Sequence, residues 1–422
     1  MKKLSYIMLF LIFAMNLTAQ SVWDGKREAI INGSGTENDP YLIENAQQFA
    51  WLIYVINWDY SRWTEGKYFL LTTDIDLNGS VDNQWIPIGA GPSADFHKYF
   101  DGVFDGGFHK ITGLYIDDEN PINDNNSMWV SSYAGFFTEL KSDAVIKNLY
   151  LEGFVSSGRK SGGFSGSSNG VFEYCIANVD VASTSGSSAG ISAFGSPTVR
   201  YSANLGEIKG KNGVGGIIGM NGHVESCYNM GKIAGEDVVG GIAGRSNDIK
   251  NSYNVGEVSY LESTNNKGAI VGNKPSGGSI ENCHYLEGCI AESNSFGEPQ
   301  TAVFMRSEEF VNMLNSDTDV WVFDEGNIND GYPVFGNTQF GIEEILTEFP
   351  DMVMVYPNPV VDNVYVVGDV TSCEIYDLVG KCVLSVSTNM EEIRVNDLQS
   401  GIYMMRFLTK NGNVVTKKIV KQ

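Results

Sequence analysis

Carboxylates at short spacing are the first residues of this chain whose types could do chemistry. Asp101 and Asp105 are each followed by glycine, and the apolar pattern around them predicts that they lie on successive short strands. Two carboxylates held close together can act as general acid and general base in cleaving a sugar chain. Asp-Gly pairs are also common turns. The turn interpretation is favoured, because both residues stand in Asp-Gly corners.

A second carboxylate run has the spacing of a metal loop. Asp74, Asp76 and Asn78, followed by Gly79, occupy the first six places of a calcium-binding loop, but Trp85 stands where its bidentate glutamate is expected. An incomplete loop favours an ordinary turn. The four histidines are isolated and none belongs to an H-E-x-x-H motif: His97, His109, His223 and His284. The sequence therefore predicts no metal site and no cofactor.

Aromatic residues are concentrated near the N-terminus, where six of the seven tryptophans precede residue 130. Trp58, Tyr60 and Trp63 lie in one polar segment beside Asp59 and Arg62. Exposed flat rings next to charged groups suit stacking on a sugar face or a protein hot spot. The favoured alternative is that these rings cover the open end of a repeat array. They are the candidate ligand-binding residues, and no catalytic residue is predicted.

The element that would position these residues is a stack of repeats. Asn204, Asn229 and Asn254 recur at an interval of 25 residues, and glycines and aliphatic residues recur with them. Such a short unit cannot bury its own apolar face, so successive coils must stack. We expect an all-β chain, a right-handed parallel β-helix, with the asparagines bonded from coil to coil as a structural ladder.

The ends of the array also have recognisable patterns. Phe49, Leu52, Ile53 and Ile56 follow helical spacing and predict an N-terminal capping helix. The β-helix is predicted over residues 20–340, with closing elements near 307–314 and 321–335.

The charge and the distribution of apolar residues indicate where the protein is located and which partners it has. The net charge of −23 argues against nucleic-acid binding, which needs clustered basic residues. Residues 1–19 have the basic start and apolar core of a signal peptide. No later apolar run is long enough to span a membrane, so no transmembrane segment is predicted.

The cysteine positions argue against a disulfide framework. Cys175, Cys227 and Cys283 occupy equivalent repeat positions, with Ser202 and Ser252 in the coils between them. Coils stacked about 4.8 Å apart place these cysteines beyond the reach of about 7 Å that a disulfide needs. We expect buried free thiols. The spacing alone leaves open a disulfide between Cys283 and Cys289.

The middle of the chain, over roughly 33–336, resembles the GLUG-motif family. The resemblance rests on a four-residue element, glycine–hydrophobic–any–glycine, that occurs once per coil: Gly163-Phe164-Ser165-Gly166, Gly216-Ile217-Ile218-Gly219 and Gly241-Ile242-Ala243-Gly244. The resemblance implies a parallel β-helix and a bacterial surface protein. Some members are metalloproteases, an activity that the missing zinc motif argues against here.

The last seventy residues resemble the C-terminal sorting domain of type IX secretion substrates. Short alternating strands and an Asn411-Gly412 turn independently predict a small immunoglobulin-like β-sandwich over 353–422, after a linker at 341–352. The resemblance implies recognition by the type IX secretion machinery of a Bacteroidetes-type bacterium, followed by release or surface attachment. The motif residues that carry it are these: Tyr356, Pro357, Asn358, Pro359, Gly380, Lys381, Gly401, Tyr403, Lys417 and Lys418.

These observations predict a protein secreted across the outer membrane, displayed on the cell surface or released, with an adhesin-like binding role and no catalysis. The expected ligand is a glycan or a host-surface protein. The main alternative is a carbohydrate-active lyase or glycoside hydrolase of the parallel β-helix type. A structural role in the envelope is the third hypothesis.

Overall fold

The computed structural model describes residues 20–58, 63–90, 98–117, 133–261, 265–324 and 327–336 and, nearer the C-terminus, 353–356, 360, 362–367, 370–377, 380–387, 392–410 and 414–421. The chain forms two compact units, Met1–Pro299 and Gln300–Gln422. The predicted signal peptide, the predicted linker, Tyr60 and Pro357 to Pro359 lie outside the described residues.

The first unit is a β-solenoid of about eight turns, as the repeat predicts. Its largest sheet is built from rows of short parallel strands, in which each strand pairs with the equivalent strand of the next coil. The first row contains Tyr41–Ile43, Tyr68–Leu71, Val103–Asp105, Val145–Ser157, Val171–Ser183, Thr198–Arg200, His223–Glu225, Asp248–Lys250 and Ser279–Glu281.

The remaining strands of this sheet continue each coil. Around the long strands Val145–Ser157 and Val171–Ser183 they are Ser21–Val22, Ile75–Asp76, Lys110–Asp117, Ala203–Asn204, Ile208–Lys209, Tyr228–Asn229, Ile233–Gly235, Tyr253–Asn254, Val258–Tyr260, His284–Leu286 and Glu298–Gln300. A six-stranded sheet forms a second face from Tyr133–Ala134, Lys160–Gly162, Ser188–Ala189, Asn212–Gly215, Asp237–Gly240 and Lys267–Gly268. A third face contains Phe137–Leu140, Ser165–Ser168, Ile218–Met220, Ala243–Arg245 and Val271–Asn273.

The asparagine ladder predicted from the 25-residue interval is confirmed. The Asn204 side-chain amide donates to Asn229 Oδ1 at 2.7 Å, and Asn229 donates in turn to Asn254 Oδ1 at 2.7 Å. All three side chains are fully buried. Each amide also donates to a carbonyl within its own coil, at Gly206 for the first residue. The ladder therefore satisfies polar groups in the core and aligns the coils.

The prediction of buried free thiols is also confirmed. All six cysteines, each within the described residues, are free. Ser202 Oγ accepts the Cys175 backbone amide at 3.1 Å, so serine and cysteine alternate along the stack as expected. Burial raises the pKa of the Cys283 thiol to about 12, which keeps it protonated and unreactive.

Charged side chains form an alternating line on the outside of the first row, which we call the charge ladder. Adjacent members pair in register from coil to coil: Asp105, Lys147, Glu173, Arg200, Glu225, Lys250 and Glu281. Lys147 Nζ lies 3.2 Å from Asp105 Oδ2, and Arg200 lies 3.4 Å from Glu173 and 3.5 Å from Glu225. A one-coil slip would place like charges together, so the ladder favours one register.

Helix α1 (Ala46–Trp58) caps the first coils. Its start is fixed by Asn45, whose side chain accepts the Gln48 amide at 2.8 Å. The predicted inner face is confirmed, because Phe49, Leu52, Ile53 and Ile56 are all buried. Phe49 stacks on Trp85 with ring centroids 5.8 Å apart, and also on Phe136.

The second unit begins with two short helices, α2 (Ala302–Met305) and α3 (Glu308–Leu314), and an antiparallel pair, Trp321–Val322 with Val334–Phe335. Two antiparallel sheets follow. One contains Met354–Tyr356, Asn363–Val367 and Glu392–Arg394, and the other contains Val370–Tyr376, Cys382–Val386, Gly401–Thr409 and Val414–Lys421. Buried side chains from both sheets, among them Val364, Ile375 and Phe407, belong to one apolar core.

Candidate functional site

An aromatic stripe runs along the solvent side of α1. Trp51, Tyr54 and Trp58 follow one another at i, i+3 and i+7, so the three side chains share one face of the helix. Tyr54 is 43 % exposed and Trp58 is 51 % exposed, while Trp51 is half-buried. The Tyr54 and Trp58 rings pack together with centroids 6.3 Å apart. We call these three residues the aromatic stripe.

Charged and polar side chains border the stripe. The Arg27 guanidinium lies 4.0 Å from the centre of the Tyr54 ring, a cation–π contact. Gln47, one turn before Trp51, donates to Asp24 Oδ1 at 3.0 Å. This bond, together with Lys26, lowers the pKa of Asp24 to about 2. The surface therefore combines flat rings with a fixed cation and a fixed carboxylate.

The end of α1 is anchored so that the stripe keeps its position. Asn57 is buried, and its side chain donates to Pro87 O at 3.0 Å and accepts the Gly89 amide at 2.7 Å. These bonds tie the last turn of the helix to the neighbouring loop. Trp58, the last residue of the helix, therefore follows a residue, Asn57, that is fixed by two hydrogen bonds.

The structure separates two of the residues that the sequence grouped as ligand-binding. Trp63 stacks on Tyr41 with centroids 5.6 Å apart and meets Trp51 edge-on at 6.0 Å. It is partly buried against the solenoid core, as a covering ring would be. Trp58 instead lies on the exposed face. Tyr60, the third candidate, lies outside the described residues.

Trp51 and Tyr54 were not among the candidate ligand-binding residues predicted from the sequence. Their signal was present, because Trp51, Tyr54 and Trp58 have the spacing of a helical face. The apolar inner face of the same helix has the same period and dominated the pattern.

The Asp101 and Asp105 pair is not the arrangement that the sequence predicted. Asp105 is the last residue of the strand Val103–Asp105, whereas Asp101 precedes that strand and a bend at Gly102 separates the two. Asp105 is also engaged by Lys147 and by the Asn148 side chain at 2.9 Å. Asp105 is therefore already paired with a cation and an amide of the next coil.

Asp101 lies close to other carboxylates. Burial raises its pKa, and the nearby carboxylates of Asp143 and Glu65 raise it further. Its backbone amide donates to Thr64 Oγ1 at 3.1 Å, so the residue is held between coils. This is a place where a carboxyl group stays protonated to higher pH than usual.

The predicted calcium-like segment is a turn. Asp76 Oδ1 accepts the Asn78 amide at 2.7 Å, and Asn78 has a positive φ of 52°. Asp74 Oδ1 is occupied by the His109 ring at 3.0 Å and by the Lys110 amide at 2.9 Å. Across the described ranges, no cluster of three or more His, Cys, Asp or Glu side chains could hold a metal ion.

Several sorting-motif residues occupy turns and strands of the second unit. Gly380 has a φ of 83° in the turn before Cys382–Val386, and the Lys381 amide donates to Asp377 Oδ1 at 2.9 Å. Tyr403, after Gly401, is buried, and its hydroxyl donates to Gln399 O at 2.8 Å. Tyr356 ends the strand Met354–Tyr356, while Lys417 and Lys418 lie in Val414–Lys421.

A protein-family comparison identifies the end of the chain. The family described as the secretion system C-terminal sorting domain matches residues 354–422. This domain directs proteins through the type IX secretion system to the cell surface or the extracellular space, so the chain is a secreted protein. Within the part of the chain that the structure describes, no helix is long and apolar enough to cross a membrane.

Two curated proteins, both much longer than this chain, are similar to part of it. A protein provisionally named a Gly-rich membrane protein, from Evansella cellulosilytica, is 31 % identical over 34 % of this chain and 14 % of its own length. Halomucin from Haloquadratum walsbyi is 26 % identical over 45 % of this chain and 2 % of its own length. This chain therefore matches only a small part of either relative.

A solved structure shares the fold. A Bacteroides ovatus protein, provisionally named an immunoglobulin A1 protease, superposes with a TM-score of 0.55 at 23 % identity. The match covers 72 % of this chain and 94 % of that one. At this identity the likeness establishes the β-solenoid architecture and nothing about activity.

Proposed function

We propose that this chain is a secreted, adhesin-like binding protein whose ligand site is the aromatic stripe on α1. The observation that carries the proposal is the exposure of Tyr54 and Trp58 on a helix whose other face is fully engaged in the core. Large rings left in solvent cost hydration free energy, so a contiguous exposed set is typical of an interaction surface. The expected ligand is a glycan or a host-surface protein.

The finer structural expectations belong to the same proposal. We expect the solenoid to be a right-handed, GLUG-type β-helix and the two C-terminal sheets to form an immunoglobulin-like sandwich. The Tyr403 hydroxyl bond to a carbonyl four residues upstream supports the second expectation, because a similar tyrosine corner recurs in immunoglobulin-like folds. A Bacteroidetes-type source is consistent with the sorting domain.

The test uses the purified full chain and a variant that carries Tyr54→Ala and Trp58→Ala. Retention of each protein is measured on immobilised glycans and on a panel of host extracellular proteins. We expect the wild type to be retained by at least one ligand and the variant to bind it about tenfold more weakly or worse. The matched control is Val55→Ala on a neighbouring, half-buried position of the same helix. Equal retention of the wild type and the double variant would exclude this site.

A second candidate function is supported by one observation, the raised pKa of Asp101 beside Asp143 and Glu65. A carboxyl group that stays protonated can act as a general acid in a carbohydrate-active lyase or glycoside hydrolase. The same incubations are therefore scored for new reducing or unsaturated chain ends. New ends that disappear in Asp101→Asn would favour the enzyme over the binding protein.

A further inference from the structure

Two tyrosines occupy a backbone conformation that their side chains disfavour. Tyr174 has a φ of 52° and Tyr201 a φ of 50°, both in the left-handed region. A bulky residue with positive φ is an outlier, because its Cβ approaches the following carbonyl oxygen. Strain of this kind is retained where something else requires the side chain.

The same corner of the other coils uses residues that accept this conformation better. The strand register places the corner one residue after the charge ladder in each coil. The equivalent left-handed residues are Asn148, Ser226, Asn251 and Asn282. Asparagine is enriched at positive φ because its short polar side chain bonds locally. The change from asparagine to tyrosine in two adjacent coils is therefore a local departure from the repeat.

The rings of the two tyrosines pack against one another on the outside of the solenoid. Their ring centroids lie 4.9 Å apart with an interplanar angle of 31°, so the rings follow the spacing of the coils. Both residues are half-buried and neither belongs to the solenoid core. Burial raises the pKa of Tyr201, and the Glu225 carboxylate raises it further, so this phenol stays protonated.

Hydrogen-bonding groups surround the pair. Arg200, the residue before Tyr201, lies between Glu173 at 3.4 Å and Glu225 at 3.5 Å. The side chains of these three residues are between 30 % and 42 % exposed. The two carboxylates accept hydrogen bonds and the guanidinium donates them, as recognition of hydroxyl groups requires.

We propose that Tyr174 and Tyr201, with Arg200, Glu173 and Glu225, form a binding site for a neutral polysaccharide on the side of the solenoid. Flat rings offer apolar surface to a sugar ring, and the flanking groups can bond its hydroxyls. The net charge of the chain, −23, selects the class of ligand. An acidic polysaccharide would be repelled. The site is separate from the aromatic stripe.

The test exploits the strain itself. In the full chain, the double variant Tyr174→Asn with Tyr201→Asn restores at both corners the residue that Asn148 and Asn251 provide in other coils. Affinity electrophoresis is run through gels that contain a neutral glucan, mannan or galactan, or, as acidic probes, polygalacturonate or chondroitin sulfate. The melting temperature of each protein is measured in parallel.

We expect the wild type to be retarded by at least one neutral polysaccharide, and the asparagine variant to bind it about tenfold more weakly. Its melting temperature should be equal to or above that of the wild type, because backbone strain is removed. A Tyr174→Phe with Tyr201→Phe variant keeps the rings and should retain most of the binding.

Four results would each overturn the inference. In the first, no neutral polysaccharide retards the wild type; in the second, only the acidic polysaccharides retard it. In the third, the asparagine variant binds as well as the wild type. The fourth is a lower melting temperature in that variant, which would make the ring pair structural. The Tyr54→Ala with Trp58→Ala variant is run in the same gels, and loss of retardation in that variant alone would assign the binding to α1.

Discussion

The coils before residue 140 and the coils after it are stabilised by different side chains. In the earlier coils, stacked aromatic rings fill the interior: Phe69 contacts Phe100 at 5.8 Å, and Phe100 contacts Phe137 at 5.2 Å. In the later coils, aliphatic columns share the interior with the buried ladder of Asn204, Asn229 and Asn254.

This difference follows from the regularity of the coils. Equivalent strands recur at 25 residues in the later part, so identical side chains meet and an amide can bond to its own copy. The earlier coils differ in length, with Phe69, Phe104 and Ile146 in register. Large rings fill the uneven interior of these coils. Regular coils can use ladders, whereas irregular coils depend on aromatic packing.

The largest expected effect comes from removing a ring of the irregular region. Phe49→Ala deletes a fully buried side chain that packs on Trp85, Phe104 and Phe136. We expect the free energy of unfolding to fall by about 3 to 5 kcal/mol, measured by denaturant titration. The control is Trp58→Ala, which removes a half-exposed ring of the same helix and should cost less than about 1 kcal/mol. Equal losses in the two variants would contradict the aromatic-core interpretation.

The regular region is tested at the centre of its ladder. Asn229→Ala removes a donor to Asn254 and an acceptor for Asn204, so both neighbours lose a partner inside the core. The expected loss is about 2 kcal/mol in the free energy of unfolding. Asn212→Ala, on an exposed position of a nearby strand, should change it by less than about 0.5 kcal/mol. A small effect at Asn229 would mean that water replaces the ladder.

The charge ladder should have a smaller effect that depends on salt. Arg200→Glu places three carboxylates in consecutive coils, between Glu173 and Glu225. We expect a loss of about 1 kcal/mol at low ionic strength that decreases as salt is added, because the side chains are partly exposed. Denaturation at a series of salt concentrations measures it, with Arg200→Gln as the neutral control. A loss that is independent of salt would indicate packing and not charge.

The smallest predicted effect concerns pH in the irregular region. Burial raises the pKa of Asp74, but hydrogen bonds from His109 and the Lys110 amide outweigh it, and the net pKa lies below the ordinary 3.8. A lowered pKa in the folded state adds stability above the unfolded pKa, and this contribution is lost as the pH falls through the folded pKa. Since the group is half-exposed, we expect less than about 1 kcal/mol. The stability gap between the wild type and Asp74→Asn should therefore narrow below about pH 4, and a constant gap would disprove the assignment.

How far the sequence predicted the molecule differs between these two regions. The interval between Asn204 and Asn229 predicted the register, the ladder and the buried thiols, because translation by one coil repeats every local environment. The spacing of Phe49, Leu52 and Ile56 predicted the inner face of α1. The successive strands expected for Asp101 and Asp105 were wrong, because coil lengths in the irregular region cannot be read from a period.

The candidate site was predicted only in part. Trp58 and Trp63 are close in sequence, but Trp63 packs on Tyr41 while Trp58 lies on the outer face of α1. Whether each ring is covered depends on Tyr41, which is distant from Trp63 in the sequence, and on the end of α1 at Trp58. Tyr54 was overlooked because the apolar inner face of the same helix has the same spacing and dominated the pattern.

The sequence by itself determined the stacked architecture of this protein and its secretion, because a repeat and a terminal sorting motif are local patterns that need no distant partner to be recognised. Only the tertiary structure decided which rings face solvent, which carboxylates lie together and where the backbone is strained. These properties arise when residues far apart in the chain are brought into contact. Exposure and strain are consequences of those contacts, and they locate the proposed binding surfaces.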